Sequence, residues 1–552
     1  MIDAFVLRKL VFEFSNLRGE TLRQIHQSEQ FCIYLIFQHA TVRICVESGF
    51  AHVCLAEKED FSNQNLSTFV TFARARLRNA RLKDVRQVDL DRILCFTFDK
   101  IDETGNKHEY ELYVELFGSR SNLILVENGL VLDDFRSFVE KNNAYVLKPT
   151  KVNLLEEREL KFEGNTMLSK YIVESIAGFS KLTAQEVLQR AFVDDKPLSS
   201  LNEKEKVALK LAIVSIIDDF EKSLCYVYEI DGKRFVFAYP LKILGKPLSE
   251  YSSASHAVDE AYNWNLRKTR MDRLRQKLLR VIDEQLKKQQ RLLDTLLEEL
   301  KECEKAEIYK RYGELLKYVS EKDRKGEQVL CVDWETNQTV VVPLIEGKNV
   351  KQSAQMYFER YKKLREKDQI LRTRIQKLQN ENQYLEQMRY TIEAAETLED
   401  LEEIEEELVE VDLIQKSSIK REKTQKETKE NQFRKFAYDG FTILVGKNNK
   451  QNEALIKKAS DSDVWLHAQQ SPGAHVVIRT EGRQVPEHVL LCAASIAAYY
   501  SKARYSSNVP VDYTLIKNVH KPKGSPPGMV LYTNYKTVFV NPLDPESIKI
   551  FE

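Results

Sequence analysis

Residues 354–392 read AQMYFERYKKLREKDQILRTRIQKLQNENQYLEQMRYTI, and their spacing decides the architecture. Tyr357, Tyr361, Leu364, Asp368, Leu371, Ile375, Leu378, Asn382, Leu385, Arg389 and Ile392 alternate four and three residues apart. That is the seam of a coiled coil with three polar interruptions. A first helical arm, from about 256 to 318, has no proline or glycine before Gly313. Between the arms, QVLCVDWE and TVVVPL are short β-like runs. An antiparallel hairpin tipped with a small knob fits this order better than a parallel dimer, because the intrachain return accounts for the insert. About 50 residues of helix at 1.5 Å rise reach roughly 75 Å.

The rest of the chain must then form separate cores. Its 552 residues suggest three or four domains, and 43% hydrophobic content is enough to fold them. The 84 basic and 84 acidic residues cancel, so a nucleic-acid partner has to be met by local patches and not by global charge. The eight cysteines are scattered without a CxxC pair, the pattern of buried thiols in a reducing cytoplasm and not of a thiolate zinc site. The amphipathic start MIDAFVLRKLVFEF does not read as a signal peptide, and no apolar run approaches ~18 residues, so a cytoplasmic protein with no membrane partner is expected.

Residues 1–165 alternate strand-like and helical pieces. FCIYLIFQ and ATVRICVES read as paired strands, and ILCFTFDK and HEYELYVELF as a hairpin about the turn at 103–106. Leu66 to Ala80 reads as one helix. Residues 166–220 read as short helices, with Ile176 to Ser180 as a hairpin whose glycine amides could meet a phosphate. Residues 221–255 lead into the coiled coil of 256–435, whose insert lies near 319–353. Residues 393–412 hold eleven acidic and no basic residues and read as a solvated or hinge segment. SSIKREKTQKETKENQFRKF is a basic linker into a last domain, 436–552; from Arg434 onward 15 Lys/Arg face 10 Asp/Glu, 15 − 10 = +5.

Candidate phosphate contacts follow from this local charge. Arg74, Arg78 and Arg81 share one face of the predicted helix, and guanidinium forks suit an RNA backbone. Asp91 and Arg92 precede a strand; an exposed acid and arginine can read a base edge, or form a surface ion pair. In the last domain, Lys447, Asn449 and Lys450 lie on the polar loop GKNNKQN, and Lys517, Lys521 and Lys523 on a basic, proline-rich loop. Asp463 to Ile478, DVWLHAQQSPGAHVVI, resembles an active site. His467 and His475 lack a clear third metal ligand, and Ser471 has no GxSxG context. A recognition edge on a strand-turn-strand fits best, with Trp465 in the core and the two histidines structural or facing RNA.

DVWLHAQQSPGAHVVI, GKNNKQN and VDYTLIKNVHKPKGSPPGMVLYTNYKTVFV resemble the C-terminal signature of the NFACT family of ribosome quality-control factors, also called fibronectin-binding proteins. LDRILCF, ELFGSRSNLILV, KAEIYKRYGELL and SAQMYFERYKKLR are similar to the family's other motifs, in order along the chain. Departures fall at Ala4, Ser119 and Ser353. The resemblance implies an α+β multidomain protein: a glycosylase-like N-terminal domain (1–165, completed by 221–255) and a helix-hairpin-helix (166–220). A long antiparallel coiled coil with a small middle domain and a C-terminal α+β NFACT-R domain follow. It implies no catalytic residues and no cofactor. The implied factor binds the obstructed large ribosomal subunit, its rRNA and stalk-base proteins, together with peptidyl-tRNA. It recruits alanyl-tRNA through Asp91 and Arg92 and directs template-free C-terminal alanine tailing for degradation. A small RNA-binding partner of the Hsp15 type belongs to the same picture. The alternative is a fibronectin-binding surface adhesin.

Overall fold

Asp3 opens the first helix. Its carboxylate accepts the Val6 N–H at 2.7 Å, satisfying one of the donors a helix start leaves unpaired. In the computed structural model this helix is α1 (Ala4–Ser15). The structure describes residues 2–29, 31–56, 66–147, 151–155, 160, 162–222, 224–414 and 433–545. Two compact units divide the chain, residues 1–269 and 270–552.

In the first unit, β1 (Gln24–Glu29), β2 (Cys32–Ile36), β3 (Thr41–Cys45) and β4 (His52–Ala56) form an antiparallel sheet in that order. After α2 (Thr68–Leu77), a second antiparallel meander contains β5 (Arg81–Gln87), β6 (Ile93–Ile101), β7 (Lys107–Glu115), β8 (Asn122–Glu127) and β9 (Leu130–Asp134). The β6–β7 hairpin pairs Ile93 with Glu115 and Ile101 with Lys107, and Asp102 closes its turn by accepting the Thr104 and Asn106 amides. Helices α3 (Leu168–Ser175), α4 (Lys181–Ala191) and α5 (Glu203–Glu221) follow. Then come β10 (Cys225–Ile230), β11 (Lys233–Phe237) and β12 (Ser249–Tyr251). One continuous core joins them: Phe14 of α1 meets Phe96 of β6 at 5.9 Å, and Phe5 meets Phe220 of α5 at 5.3 Å.

Helix α6 (Ala254–Cys303) then leads into the second unit. With α7 (Lys305–Lys317) it forms one arm, and α8 (Val350–Ala394) returns antiparallel to it. The order of contacts proves the direction: Lys367 pairs with Glu299 at 2.7 Å, Gln289 with Glu381 at 3.3 Å, and Arg389 with Asp283 at 3.3 Å. Leu371, Ile375 and Leu378 pack with Leu296, and Leu385 and Ile392 pack with Leu278 and Ile282, as the seam predicts. Gly313 does not end the first arm. A Cβ there would lie 2.9 Å from the Phe358 ring, so the glycine makes room for the returning helix. The tip holds β13 (Arg324–Lys325), β14 (Gln328–Val332) and β15 (Thr339–Pro343) over its own small core. Ser353 is buried beside it and accepts the Ile345 N–H at 3.1 Å.

The acidic segment is not a solvated hinge. It folds as α9 (Leu398–Glu410), whose Leu401, Ile404 and Leu408 join the core of α6 and α8. Three apolar residues at three- and four-residue spacing outweigh the charge, because the carboxylates find partners. Glu405 meets Lys277 at 2.9 Å, and Glu407 accepts the Tyr384 hydroxyl at 2.9 Å. Most of the basic linker lies outside the described residues.

The last domain is one antiparallel sheet with helices on it. It contains β16 (Arg434–Tyr438), β17 (Phe441–Val445), α10 (Asn449–Lys458), β18 (Val464–Ala468), β19 (Val476–Arg479), α11 (Glu487–Tyr499) and β20 (Val509–Leu515). The short pair β21 (Val519–His520) and β22 (Leu531–Tyr532) and the edge strand β23 (Lys536–Val540) complete it. The strand order is β16-β17-β19-β18-β20-β23. Leu466, Val476 and Ile478 face α11, while Trp465 and Val477 face the other way, as strand alternation requires. All eight cysteines are buried and unpaired. No described helix is long and apolar enough to cross a membrane.

Candidate nucleic-acid interface

Asp91 and Arg92 sit at the end of a tight turn, immediately before β6. Asp89 and Leu90 both take left-handed backbone angles, φ +47° and +51°. For a leucine that conformation is strained, by about 1–3 kcal/mol, and persists only where its surroundings fix it. Here they do. The Asp91 N–H donates to Val88 O at 2.8 Å, and Gln87 Nε2 lies 2.8 Å from both Asp91 O and Ala4 O. Leu90 is buried against Gly178, whose left-handed backbone (φ +78°) lacks room for a side chain: a Cβ would meet Leu90 Cγ at 3.1 Å and Ala4 Cβ at 3.3 Å. The 176–180 hairpin thus buttresses the turn, and its Ala177 N–H is already taken by Val152 O at 2.9 Å.

On this support Asp91 is exposed. Its Oδ1 accepts the Arg92 backbone N–H at 2.7 Å, and the Arg92 guanidinium lies 5.6 Å from the centre of the Phe117 ring. Leu116 N–H holds Arg92 O at 2.9 Å. Next to Phe117, the Gly118–Arg120 turn leads into Asn122, which is buried and donates to Asp134 at 2.8 Å. Ser119 sits within that turn.

Asp3 is a member of this site that the sequence reading passed over. It is buried, its Oδ2 has no hydrogen-bond partner among the described residues, and burial pushes its carboxyl up to about 7 against the pull of Arg92 and Lys9. Its signal in the sequence is an aspartate just ahead of an apolar helix.

The arginine face does not exist as predicted. Helix α2 stops at Leu77, since Asn79 turns left-handed (φ +63°), and Ala80 lies beyond it. Arg74 remains on the helix and donates to Ile25 O; Arg78 is the cap; Arg81 begins β5 and donates to Gly19 O at 3.1 Å. Among the described residues, Arg78 alone of the three has no side-chain bond to a backbone carbonyl.

The loop GKNNKQN is likewise spoken for. Asn448 caps α10 and donates to Glu403 at 2.6 Å, Asn449 donates to Glu407 at 3.2 Å, Lys450 meets Glu410 at 2.8 Å, and Lys447 meets Asp400 at 3.6 Å. The acidic helix α9 thus supplies partners to the donors of this loop. Lys521 pairs with Glu453 at 2.6 Å, whereas Lys517 and Lys523 are exposed, with no ion pair among the described residues.

His467 and His475 are not on an outer recognition edge. Trp465 is fully buried, as predicted, and its ring stacks on His467 (5.8 Å, 9°) and stands across His475 (5.4 Å, 83°). His475 is buried and His467 half-buried, and burial lowers the affinity of both for a proton, so they are neutral at pH 7. Among the described residues no group of three or more His, Cys, Asp or Glu side chains is placed to hold a metal ion.

Comparison with known proteins agrees with both ends of the chain. A family model described as the NFACT N-terminal and middle domains matches residues 3–427, and one described as the NFACT protein RNA binding domain matches residues 431–534. A Bacillus subtilis protein named Rqc2 homolog RqcH is 32% identical over 505 residues, 86% of this chain and 85% of the relative. A Streptococcus suis protein of the same name is 29% identical over 582 residues, 98% of each chain. The C-terminal part of the fibronectin/fibrinogen-binding protein from Streptococcus suis, a solved structure, aligns at 32% identity over 51% of this chain and 98% of its own, with a TM-score of 0.41. With two family models spanning nearly its whole length, this chain belongs to the NFACT family.

Proposed function

We propose that this protein is a ribosome quality-control factor. It binds the obstructed large ribosomal subunit carrying peptidyl-tRNA, recruits alanyl-tRNA, and directs template-free C-terminal alanine tailing of the stalled chain. Peptidyl transfer stays with the ribosome, so the protein positions substrates and is not itself the catalyst. In this reading residues 166–220 are a helix-hairpin-helix beside a glycosylase-like domain, and the protein works in the cytoplasm.

The observation that carries the reading is the braced turn of the first unit. Asp3, the Asp91–Arg92 pair, Phe117 and the Gly178 hairpin come from four separate segments and meet there. An exposed carboxylate beside a guanidinium held over an aromatic ring is the kind of chemistry that grips a tRNA base edge and phosphate. The strained turn presents both without needing to order first, which conserves binding free energy. The coiled coil supports the reading by its length: the 45 residues of α8 span about 68 Å, a ribosomal distance.

The test is a reconstituted reaction with large subunits bearing peptidyl-tRNA, charged alanyl-tRNA and the purified chain, without messenger or small subunit. Alanine additions to the nascent chain, read by mass spectrometry, are expected; unextended chains on factor-bound subunits would overturn the proposal.

A further inference from the structure

The sheet face that carries Trp465, His467 and His475 is one wall of a cleft of about 780 Å³. Helix α8 forms the wall opposite, from Asn382 to Gln387, and the Pro527–Val530 loop closes one side. That volume lies within the ~300–1,000 Å³ of pockets that enclose small ligands. Its walls are pinned. Gln387 clamps Gly473 with two hydrogen bonds, Nε2 to Gly473 O at 2.9 Å and Gly473 N to Oε1 at 2.8 Å. Gly473 in turn packs so tightly that a Cβ would lie 2.9 Å from Ser501 Cβ.

The chemistry of the wall is specific. Trp465, His467, His475 and Tyr532 line it, with Tyr532 4.8 Å from the indole. Both histidines are uncharged, so the interior is aromatic and neutral. Yet Trp465 Nε1, His475 Nδ1 and Asn382 Oδ1 are buried without a hydrogen-bond partner among the described residues. A buried donor or acceptor left unmade costs more than a formed bond returns, so three in one cleft mark groups kept for a ligand. The charged pair on the lining, Lys502 with Glu386 at 3.2 Å, is partly exposed. An occupant that is flat, neutral and edged with both donors and acceptors describes a nucleobase, which proteins take from single strands by stacking on aromatic side chains and bonding its edge. Carboxylate or phosphate groups find no cation inside the cleft and would stay at the Lys502 rim.

We propose that this cleft receives one unpaired nucleobase, stacked on its aromatic wall and bonded at its edge by Trp465 Nε1 and His475 Nδ1. The proposal rests on the RNA-binding reading of the chain and adds to it a place where a base leaves its strand. The base comes from an RNA or from a free nucleotide; the same chemistry recognises both.

Replacing Trp264 and Trp334 by phenylalanine in the full chain leaves Trp465 as the only tryptophan, whose emission is excited selectively over that of the tyrosines. Three probes are titrated: a ten-nucleotide single-stranded RNA, the same-length abasic ribose-phosphate oligomer, and adenosine monophosphate. RNA binding is followed separately by anisotropy of an end label. The RNA is expected to quench Trp465 while the abasic oligomer binds without quenching. His467→Ala and the cleft-filling Ser471→Phe, each checked for an unchanged circular dichroism spectrum, are expected to weaken the quenching titration at least fivefold, the low end of what one stacked base contributes. Quenching by the RNA alone assigns the base to a strand, and equal quenching by the monophosphate assigns it to a free nucleotide. RNA binding with unaltered Trp465 emission, or quenching that both variants leave unchanged, overturns the base slot and leaves RNA binding standing. No binding of RNA and no quenching by any probe overturns both.

Discussion

Replacing Asp91 and Arg92 together by alanine is expected to abolish alanine tailing, at least a hundredfold, while the protein still sediments with large subunits. The fold tolerates the change. Asp91 is exposed and its side chain caps its neighbour's amide, and the stack of half-buried Arg92 on Phe117 is one cation–π contact of about 0.5–1 kcal/mol. What fixes the turn is elsewhere, in the Gln87 amide and the Leu90–Gly178 packing, and both remain. The loss is therefore one of recognition: two charge-bearing contacts to tRNA removed at once, each worth about 1.5–3 kcal/mol, weaken its recruitment by roughly two to four orders of magnitude. Cosedimentation and tailing measured on the same preparation separate the two functions. Wild-type tailing by the double variant would remove the tRNA site from this turn.

Trp465→Ala is expected to have the largest effect on stability. The indole is fully buried among Leu455, Val477, Ile516 and Val519 and touches the rings of His467, His475 and Tyr532. Truncating a tryptophan in such surroundings costs about 3–5 kcal/mol, because the cavity left behind does not collapse. For a unit of this size that corresponds to a fall in the melting midpoint of roughly 10 °C. The second unit alone should shift in calorimetry, since Trp465 lies in it and the first unit has its own core. An unchanged midpoint would mean that the aromatic cluster does not support the domain.

Much of this was legible in the residues, and the rest escaped for separate reasons. The coiled coil could be read because its period spans many turns, and the Asp102 hairpin because a polar turn separates two alternating runs. Helix α9 was misread because counting eleven acids hid Leu401, Ile404 and Leu408, a complete apolar stripe. The partners of GKNNKQN within the chain were not legible, because they lie some 40 residues away in the sequence, on α9. The arginine patch failed at one residue, Asn79, whose left-handed backbone ends α2 and sends Arg81 to a strand. Asp91 and Arg92 were named from family resemblance; nothing local announces that a strained leucine braces them, because the brace is Gly178, far along the chain.

The central claim is that this protein brings a particular tRNA to the large subunit. The most direct measurement is sequencing of the RNA that copurifies with the full chain from cells. The account predicts large-subunit rRNA together with enriched alanine tRNA, and loss of the tRNA but not the rRNA in the Asp91→Ala, Arg92→Ala variant. An unenriched tRNA pool, identical for wild type and variant, would contradict it.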